Sequence, residues 1–368
     1  MVDINMQLAL QKADRNMSDQ HFWNEELRLC VLADQLGFDA VFVPEHHFDP
    51  DYSQSPDNFQ ILAWLAAKTS RIDLGLGAVI LPWNDPLRVA EKINMLDILA
   101  PGRFRIGFGR GLAKHEYDTF GIDMATARER RDEAMEMVLE ALETGVMEGA
   151  GPHYPQKRAV LAPHSGLPYR DRFFEIAMSP DSAVAAGKLG AKLVSFVMST
   201  PEEHKVALDS YIETYREAHH SEPPLPAYSQ FTVCHEDAEE ARRLGYEHLS
   251  HYFAQMIRHY SLVGDHFADT ASYKSYAKLS ESLQAAGMEQ AATNYVEQNL
   301  YGTPDEVAEK IRAQFDVLGP FDVTGLFSFG GISYDLAENG MRLFIDQVKP
   351  QIEKMTTNHG AVKTKVPA

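Results

Sequence analysis

The reactive side chains of this sequence cluster where short apolar runs end. Ala40-Val41-Phe42-Val43-Pro44 is followed at once by Glu45-His46-His47-Phe48. Histidine titrates near neutrality and can give or take a proton in catalysis, and an acid beside it can orient the ring. Adjacent residues on a strand face opposite ways, so His46 and His47 are not expected to share one metal ion, and no metal is assigned. A histidine bonded to a loop is the plain alternative. A second run, Phe104-Arg105-Ile106, leads into Gly107-Phe108-Gly109-Arg110-Gly111. Glycine lets backbone amides approach a ligand, and arginine offers a forked donor suited to phosphate. Ser179-Pro180-Asp181-Ser182 reads as a helix start, where unpaired amides and the helix dipole favour an anion, although Asp181 opposes one. A solvated arginine and a simple helix cap are the competing readings of these two motifs.

These residues need elements to hold them. Apolar runs predict strands at Met6–Leu10, Ala40–Pro44, Ile72–Leu81, Phe104–Gly109, Phe174–Met178, Leu193–Val197, Ala227–Cys234 and Asp322–Phe329. Between and after them, helical spacing predicts helices at His21–Leu36, Asn58–Lys68, Leu87–Leu99, Ala127–Glu143, Ser182–Leu189, Glu202–His219, Ala238–His259, Pro304–Leu318 and Leu336–Lys354. Runs apolar at every position belong to strands buried on both faces, as in a parallel sheet covered by helices. Eight such strands, each followed by a helix, favour a single (β/α)₈ TIM barrel over an open doubly wound sheet, and no glycine-rich dinucleotide turn follows the first strand. Barrel active sites lie at the carboxyl ends of the strands, where all three motifs fall. By the same rule the aromatic residues Phe196, Phe327 and Phe329 are candidate substrate-binding walls, with a core role as the alternative. Thr200-Pro201-Glu202-Glu203 and Thr303-Pro304-Asp305-Glu306 read as capping boxes.

The barrel is expected over 1–355, with insertions near 149–172, a Pro, Gly and His-rich loop or hairpin, and near 260–299, a polar stretch with helical patches. Residues 356–368 lack apolar content and are expected to be unordered. Of the 368 residues, 45% are hydrophobic and 24% charged, which allows a large core without disulfide or metal support. A net charge of −19 repels phosphate backbones, so nucleic acid is not an expected partner. Two cysteines in apolar settings, Cys30 and Cys234, no export signal and no run long enough to span a membrane suggest a cytoplasmic protein.

Read together, the motifs resemble the bacterial luciferase-like family of flavin-dependent monooxygenases. The resemblance runs in order through Gly37-Phe38-Asp39, Glu45-His46-His47-Phe48, Gly77-Ala78-Val79-Ile80-Leu81-Pro82, Pro86, Ala90-Glu91, Leu96-Asp97, Gly102-Arg103-Phe104, Gly107-Phe108-Gly109-Arg110-Gly111 and Phe120-Gly121-Ile122-Asp123. It resumes at Ser179-Pro180 and Gly302-Thr303-Pro304. With its double histidine the chain resembles the luciferase branch rather than the sulfonate monooxygenase or deazaflavin branches. The resemblance implies FMN as cofactor, reduced by a separate flavin reductase, and O₂ activated through a C4a-hydroperoxide to oxygenate a small organic substrate. It implies His46 as the catalytic histidine, and the acid beside it, Glu45, is expected to be its orienting neighbour. It matches Arg110 to the arginine that binds the flavin phosphate and Ser179 to the phosphate-binding turn after the fifth strand, counts Gly109, Gly111 and Met178 among the cofactor-binding residues, and sets a cis Gly77-Ala78 peptide against the isoalloxazine. It also implies a homodimer joined through the helices after the second and third strands, which carry Phe59, Leu62, Trp64, Leu65, Val89, Ile93, Leu96 and Ile98. Gly109 stands where luciferase has a cysteine and Ala113 where it has a tyrosine, changes expected to enlarge the site. Three alternatives stay open: a flavin or deazaflavin hydride-transfer oxidoreductase on the same barrel, a non-catalytic flavin-binding protein, and a metal-dependent barrel hydrolase using His46 or His47.

Overall fold

The computed structural model describes residues 2–264, 267 and 273–363. Eight parallel strands close into a barrel: β1 Ile4–Gln7, β2 Ala40–Val43, β3 Asp73–Leu76, β4 Phe104–Gly109, β5 Phe173–Ile176, β6 Lys192–Phe196, β7 Ala227–Cys234 and β8 Asp322–Leu326. Successive strands pair in chain order. The ring closes where Ile4 of β1 meets Val323 of β8, and its last internal joint sets Ala227 of β7 beside Val194 of β6. Every residue of β7 and β8 is buried, as expected for strands covered on both faces.

The barrel interior is part aromatic and part polar. Phe42 and Phe174 meet edge to face at 5.3 Å. Gly75 leaves room for them, since a Cβ there would come within 2.2 Å of the Phe42 ring. In the barrel interior Ser229 donates to Gln7 at 2.9 Å. A narrow cavity enters from the amino ends of the strands, lined there by Asp3, Arg105 and Lys192 and deeper in by Gln7, Phe42 and Gly77. Active sites of this architecture lie at the other end.

The outer ring is α1 Asp19–Leu36, α2 Asn58–Lys68, α3 Pro86–Leu99, α4 Lys114–Phe120, α5 Ala127–Thr144, α6 Pro180–Leu189, α7 Pro201–His219, α8 Ala238–His259, α9 Lys274–Ala286, α10 Met288–Gln298, α11 Pro304–Leu318, α12 Tyr334–Leu343 and α13 Lys349–Lys363. The capping boxes at Thr200–Glu203 and Thr303–Glu306 form, and Ser179–Ser182 makes a third. No described helix is long and apolar enough to cross a membrane. Both cysteines are free and buried.

Several boundaries differ from the sequence reading. The third run breaks after Leu76: Gly77-Ala78 is cis, as the resemblance implies, and Val79–Ile80 then pairs with Phe108–Gly109. The 149–172 insertion holds one arm of a hairpin, Val146–Gly149 against Gln156–Val160. The 260–299 insertion contributes α9 and α10, and a strand missed in the sequence, Leu300–Gly302, joins β7 beside Thr232–Cys234. The tail expected to be unordered from 356 is helical through Lys363, and 364–368 lie outside the described residues. Ile352, buried, anchors that helix, and adding turns to an existing helix costs little.

Candidate active site

Two residues past the end of β2 stands Glu45, whose carboxylate is buried and fully used. Its Oε1 accepts Trp83 Nε1–H at 2.7 Å, Asn84 Nδ2–H at 2.9 Å and His47 Nε2–H at 3.1 Å; its Oε2 accepts the Ile80 amide at 3.0 Å. An ionised carboxylate only accepts, so His47 carries its proton on Nε2. The sequence reading casts Glu45 as partner of His46. The structure corrects this: Glu45 serves His47 and the loop after β3, because its oxygens turn to the side of the strand that His47 faces. His47 meets Phe120 edge to face at 4.9 Å, and Phe120 stacks on Trp83 at 5.2 Å.

His46 faces the other way, as strand alternation requires. Its amide bridges to the Ser55 carbonyl at 3.0 Å, which fixes the backbone. Its Nδ1 lies 3.4 Å from Oε1 of Glu116, an ion-pair distance without hydrogen-bond geometry, and its Nε2 lies 3.5 Å from the Tyr260 hydroxyl. Tyr52 and His259 meet its ring edge on, at 5.1 and 5.2 Å. Glu116 comes from α4 and is held by the His47 amide at 2.7 Å. Burial raises the cost of its charge, but the His46 ring and the His47 amide outweigh this and keep its pKa below the ordinary value.

His259 ends α8. Tyr52 stacks on it at 3.9 Å, and its Nδ1–H donates to Asp49 at 3.0 Å. Burial pushes His259 down to about 4 in spite of Asp49, so it is neutral at neutral pH. Burial works against the Asp49 charge too, yet bonds from His259 and Arg258 hold its carboxyl well below the usual range. A tyrosine chain closes the far side: Tyr252 OH donates to Tyr52 OH at 3.0 Å, and Tyr52 OH to Tyr260 OH at 3.2 Å.

Sequence reasoning missed Glu116, His259, Asp49, Tyr52 and Tyr260. His115-Glu116 sits just past the Arg110 loop, and that placement was the available signal. Arg258-His259 at a helix end reads as ordinary dipole compensation.

The Arg110 loop stands on the next strand but one. The Arg110 guanidinium lies over the Tyr273 ring, 3.9 Å from its centre, and the Tyr273 hydroxyl donates to the Gly111 carbonyl at 3.1 Å. Gly111 has φ +83°, and a Cβ there would meet Trp83 at 2.7 Å. The expected enlargement at Gly109 does not occur: Ile80 Cδ1 lies 2.6 Å from where its Cβ would be and fills the gap. On the neighbouring strand end, Ser179 uses its amide and hydroxyl in its own cap with Ser182, the two hydroxyls 3.0 Å apart. The Met178 sulfur accepts the Phe196 amide at 3.3 Å.

The three aromatic candidates separate. Phe196, half-buried, ends β6 beside Met178. Phe327 is not a site wall: it packs outward against Phe38 and Phe344 at 5.7 and 5.6 Å, between barrel and helices, because alternation turns it from the interior. Phe329 is buried against Phe231 at 4.8 Å and supports Tyr252 from behind.

Comparison with known proteins places this geometry. The family model described as luciferase-like monooxygenase matches residues 6–320. The alkanal monooxygenase alpha chain of Photorhabdus luminescens is 24% identical over 336 residues, covering 89% of this chain and 91% of that one. A monooxygenase from Streptomyces bottropensis has a similar structure, with a TM-score of 0.71 at 27% identity, covering 95% of this chain and 99% of that one. The oxygenating constituent of 3,6-diketocamphane monooxygenase from Pseudomonas putida, solved in complex with FMN, gives a TM-score of 0.74 at 20% identity, over 95% and 99% of the two chains.

Proposed function

The chain belongs to the luciferase-like monooxygenase family and is an oxidoreductase, and from that premise we propose that it binds FMN and uses the reduced flavin with O₂ to oxygenate a small organic substrate. The observation that carries the reading is His46, at the carboxyl end of β2 between Glu116 and Tyr260, with one ring nitrogen lacking a hydrogen-bond partner among the described residues. A family member needs one group near the reacting oxygen that can hold or release a proton, and His46 has the chemistry for it. Glu45 shapes the site through His47, and Glu116 is the carboxylate that faces His46.

The residues present fit a phosphorylated flavin. Arg110 offers a charged fork, and the Ser179 and Ser182 hydroxyls stand at the amino end of α6 on the adjacent strand. A dianion suits that donor set. Gly77, Ala78, Gly109, Gly111 and Met178 would complete the cradle, and Phe196 would line the substrate side. Bound and reduced, FMN supplies the electrons that activate O₂. The protein's part is to hold the flavin, keep water out with the Trp83, Phe120 and tyrosine groups, and move a proton at His46.

Reduced flavin would come from a separate reductase. The Pseudomonas putida protein above, an oxygenating constituent, supports that arrangement. We propose a homodimer through α2 and α3. Of the eight apolar residues named there, six are buried within the chain, while Trp64 and Ile98 stay exposed beside Met95 and Leu99. The groove beside them has His46, His47, Phe48, Trp23 and Trp64 on its wall, so a second copy would also shield the histidine edge.

The test is to supply reduced FMN and O₂ to the protein with a panel of small aldehydes, ketones and heteroaromatics. Substrate-dependent oxygenated product is expected. Hydride transfer to a substrate without O₂ uptake would overturn the reading.

A further inference from the structure

The chamber behind His46 holds more acceptors than donors. His259 commits Nδ1–H to Asp49, and its Nε2 has no hydrogen-bond partner among the described residues although the side chain is fully buried. A neutral imidazole has one N–H, so this Nε2 is a bare lone pair. Glu116, a buried carboxylate, can only accept. Nδ1 of His46, 3.4 Å from it, also lacks a hydrogen-bond partner among the described residues.

A buried lone pair facing a carboxylate calls for a proton or a cation. His46, Glu116 and His259 each bring one ligand atom within 4.8 Å of the other two. Two imidazole nitrogens and a carboxylate oxygen suit a first-row divalent ion, whose donors stand at about 2.0–2.2 Å, so side-chain shifts of about 1 Å would close the set. The surroundings are those of a supported ligand set. Asp49 on the far nitrogen of His259 fixes its tautomer and strengthens it as a donor, and the His47 amide pins Glu116.

We propose that His46, Glu116 and His259 form a binding site for a divalent transition-metal ion of the zinc class. An overlapping set, Asp49, His115 and His259, is equally close but is disfavoured, because Asp49 is already engaged by Arg258 and His259. Occupation ties the His46 ring to the ion and removes it from proton transfer, so such ions inhibit the enzyme. That consequence rests on the role given to His46 above; the binding does not.

The test is direct titration of the chelator-stripped full-length protein with Co²⁺, read by its visible ligand-field absorption without flavin, with Zn²⁺ as competitor. One Co²⁺ per chain is expected, displaced by Zn²⁺. Glu116→Gln and His259→Gln should abolish the signal. Asp49→Asn should weaken binding by about 10–100-fold, as for other outer-shell partners. His115→Ala should leave it unchanged. Absence of saturable binding to the wild type overturns the proposal whether or not any variant folds. So does binding that survives Glu116→Gln but is lost in His115→Ala. A chain that binds Co²⁺ but oxygenates nothing keeps this site and loses the functional reading instead.

Discussion

The indole N–H of Trp83 donates to Oε1 of Glu45 at 2.7 Å and ties the loop after β3 to the end of β2. With Ile80, Asn84 and His47 on the same carboxylate, every donor there depends on an acceptor that is negative on both oxygens. Glu45→Gln keeps the volume but turns one oxygen into a donor, so at least one buried N–H is left unmet. The expected loss is about 1–3 kcal/mol of stability, seen as a lower midpoint in chemical denaturation. An unchanged midpoint with lost turnover would move Glu45 from scaffold to chemistry.

Glu26 gives the fold a pH dependence that can be measured. It is buried in α1, where Ser328 donates to Oε1 at 2.7 Å, the Tyr334 hydroxyl faces the carboxyl, and Oε2 makes no hydrogen bond of normal geometry among the described residues. Burial raises its pKa from 4.5 to about 7. Between those values the folded chain keeps a proton that the unfolded chain has released, so stability falls as pH rises; above about 7 the penalty is full and constant. The shift corresponds to something on the order of 3 kcal/mol. Glu26→Gln should flatten the stability profile between about pH 4.5 and 7. Some slope should remain, since burial also raises Glu175 to about 7. An unaltered slope would place the Glu26 proton elsewhere.

The barrel was legible because its strands are short, mostly apolar runs and three of its helices begin with Thr-Pro or Ser-Pro caps, both local patterns. The histidine pair was legible for the same reason: β2 stops just before it, and alternation settles which way each ring turns. The partners of His46 were not. Glu116 meets the His47 amide across 69 residues and His259 meets Asp49 across 210, and no periodicity records such pairings. α4, at seven residues, is too short to show a helical stripe. Gly109 misled for a related reason, since only the fold shows that Ile80 enters the space a side chain would take.

The dimer reading is checked through the apolar side chains that the fold leaves out. Trp64, Met95, Ile98 and Leu99 are 39 to 54% exposed on α2 and α3. Replacing Trp64 and Ile98 together by Asp would bury two unpaired charges in a joint between copies, which no interface of ordinary size tolerates. The wild type should sediment as a dimer at micromolar concentration and the double variant as a folded monomer. A monomeric wild type ends the proposal.

Arg110 should discriminate between flavins. FMN carries a phosphate dianion that riboflavin lacks. Arg110→Ala should therefore weaken FMN by roughly 1.5–3 kcal/mol, the scale of a charge-assisted hydrogen bond, and leave riboflavin nearly unchanged. Tyr273 lies on the guanidinium, so Tyr273→Phe separates the two parts of its role. It keeps the stacked ring and loses the hydroxyl that bonds the Gly111 carbonyl and faces Tyr117. Equal weakening of both flavins in Arg110→Ala would mean that Arg110 shapes the loop and does not bind phosphate.

The histidines should divide by function as they divide by direction. His47 is consumed by Glu45 and packed against Phe120, so His47→Ala removes a donor from a saturated carboxylate and a ring from an aromatic stack. Its effect should fall on stability and on the shape of the flavin site. His46 has Glu116 on one nitrogen and the Tyr260 hydroxyl 3.5 Å from the other, neither a short bond, which leaves the ring able to exchange a proton. His46→Ala should keep FMN affinity and cut product formation by about 10²–10⁴-fold, the range for a lost acid–base group. Glu116→Gln keeps the shape of the side chain that faces His46 and removes its charge. It should lower the same step while leaving substrate binding unchanged. Single-turnover kinetics with pre-reduced FMN isolates that step from flavin delivery. A His46→Ala protein that turned over normally, beside a flavin-bound but inactive His47→Ala protein, would assign the chemistry to the other histidine.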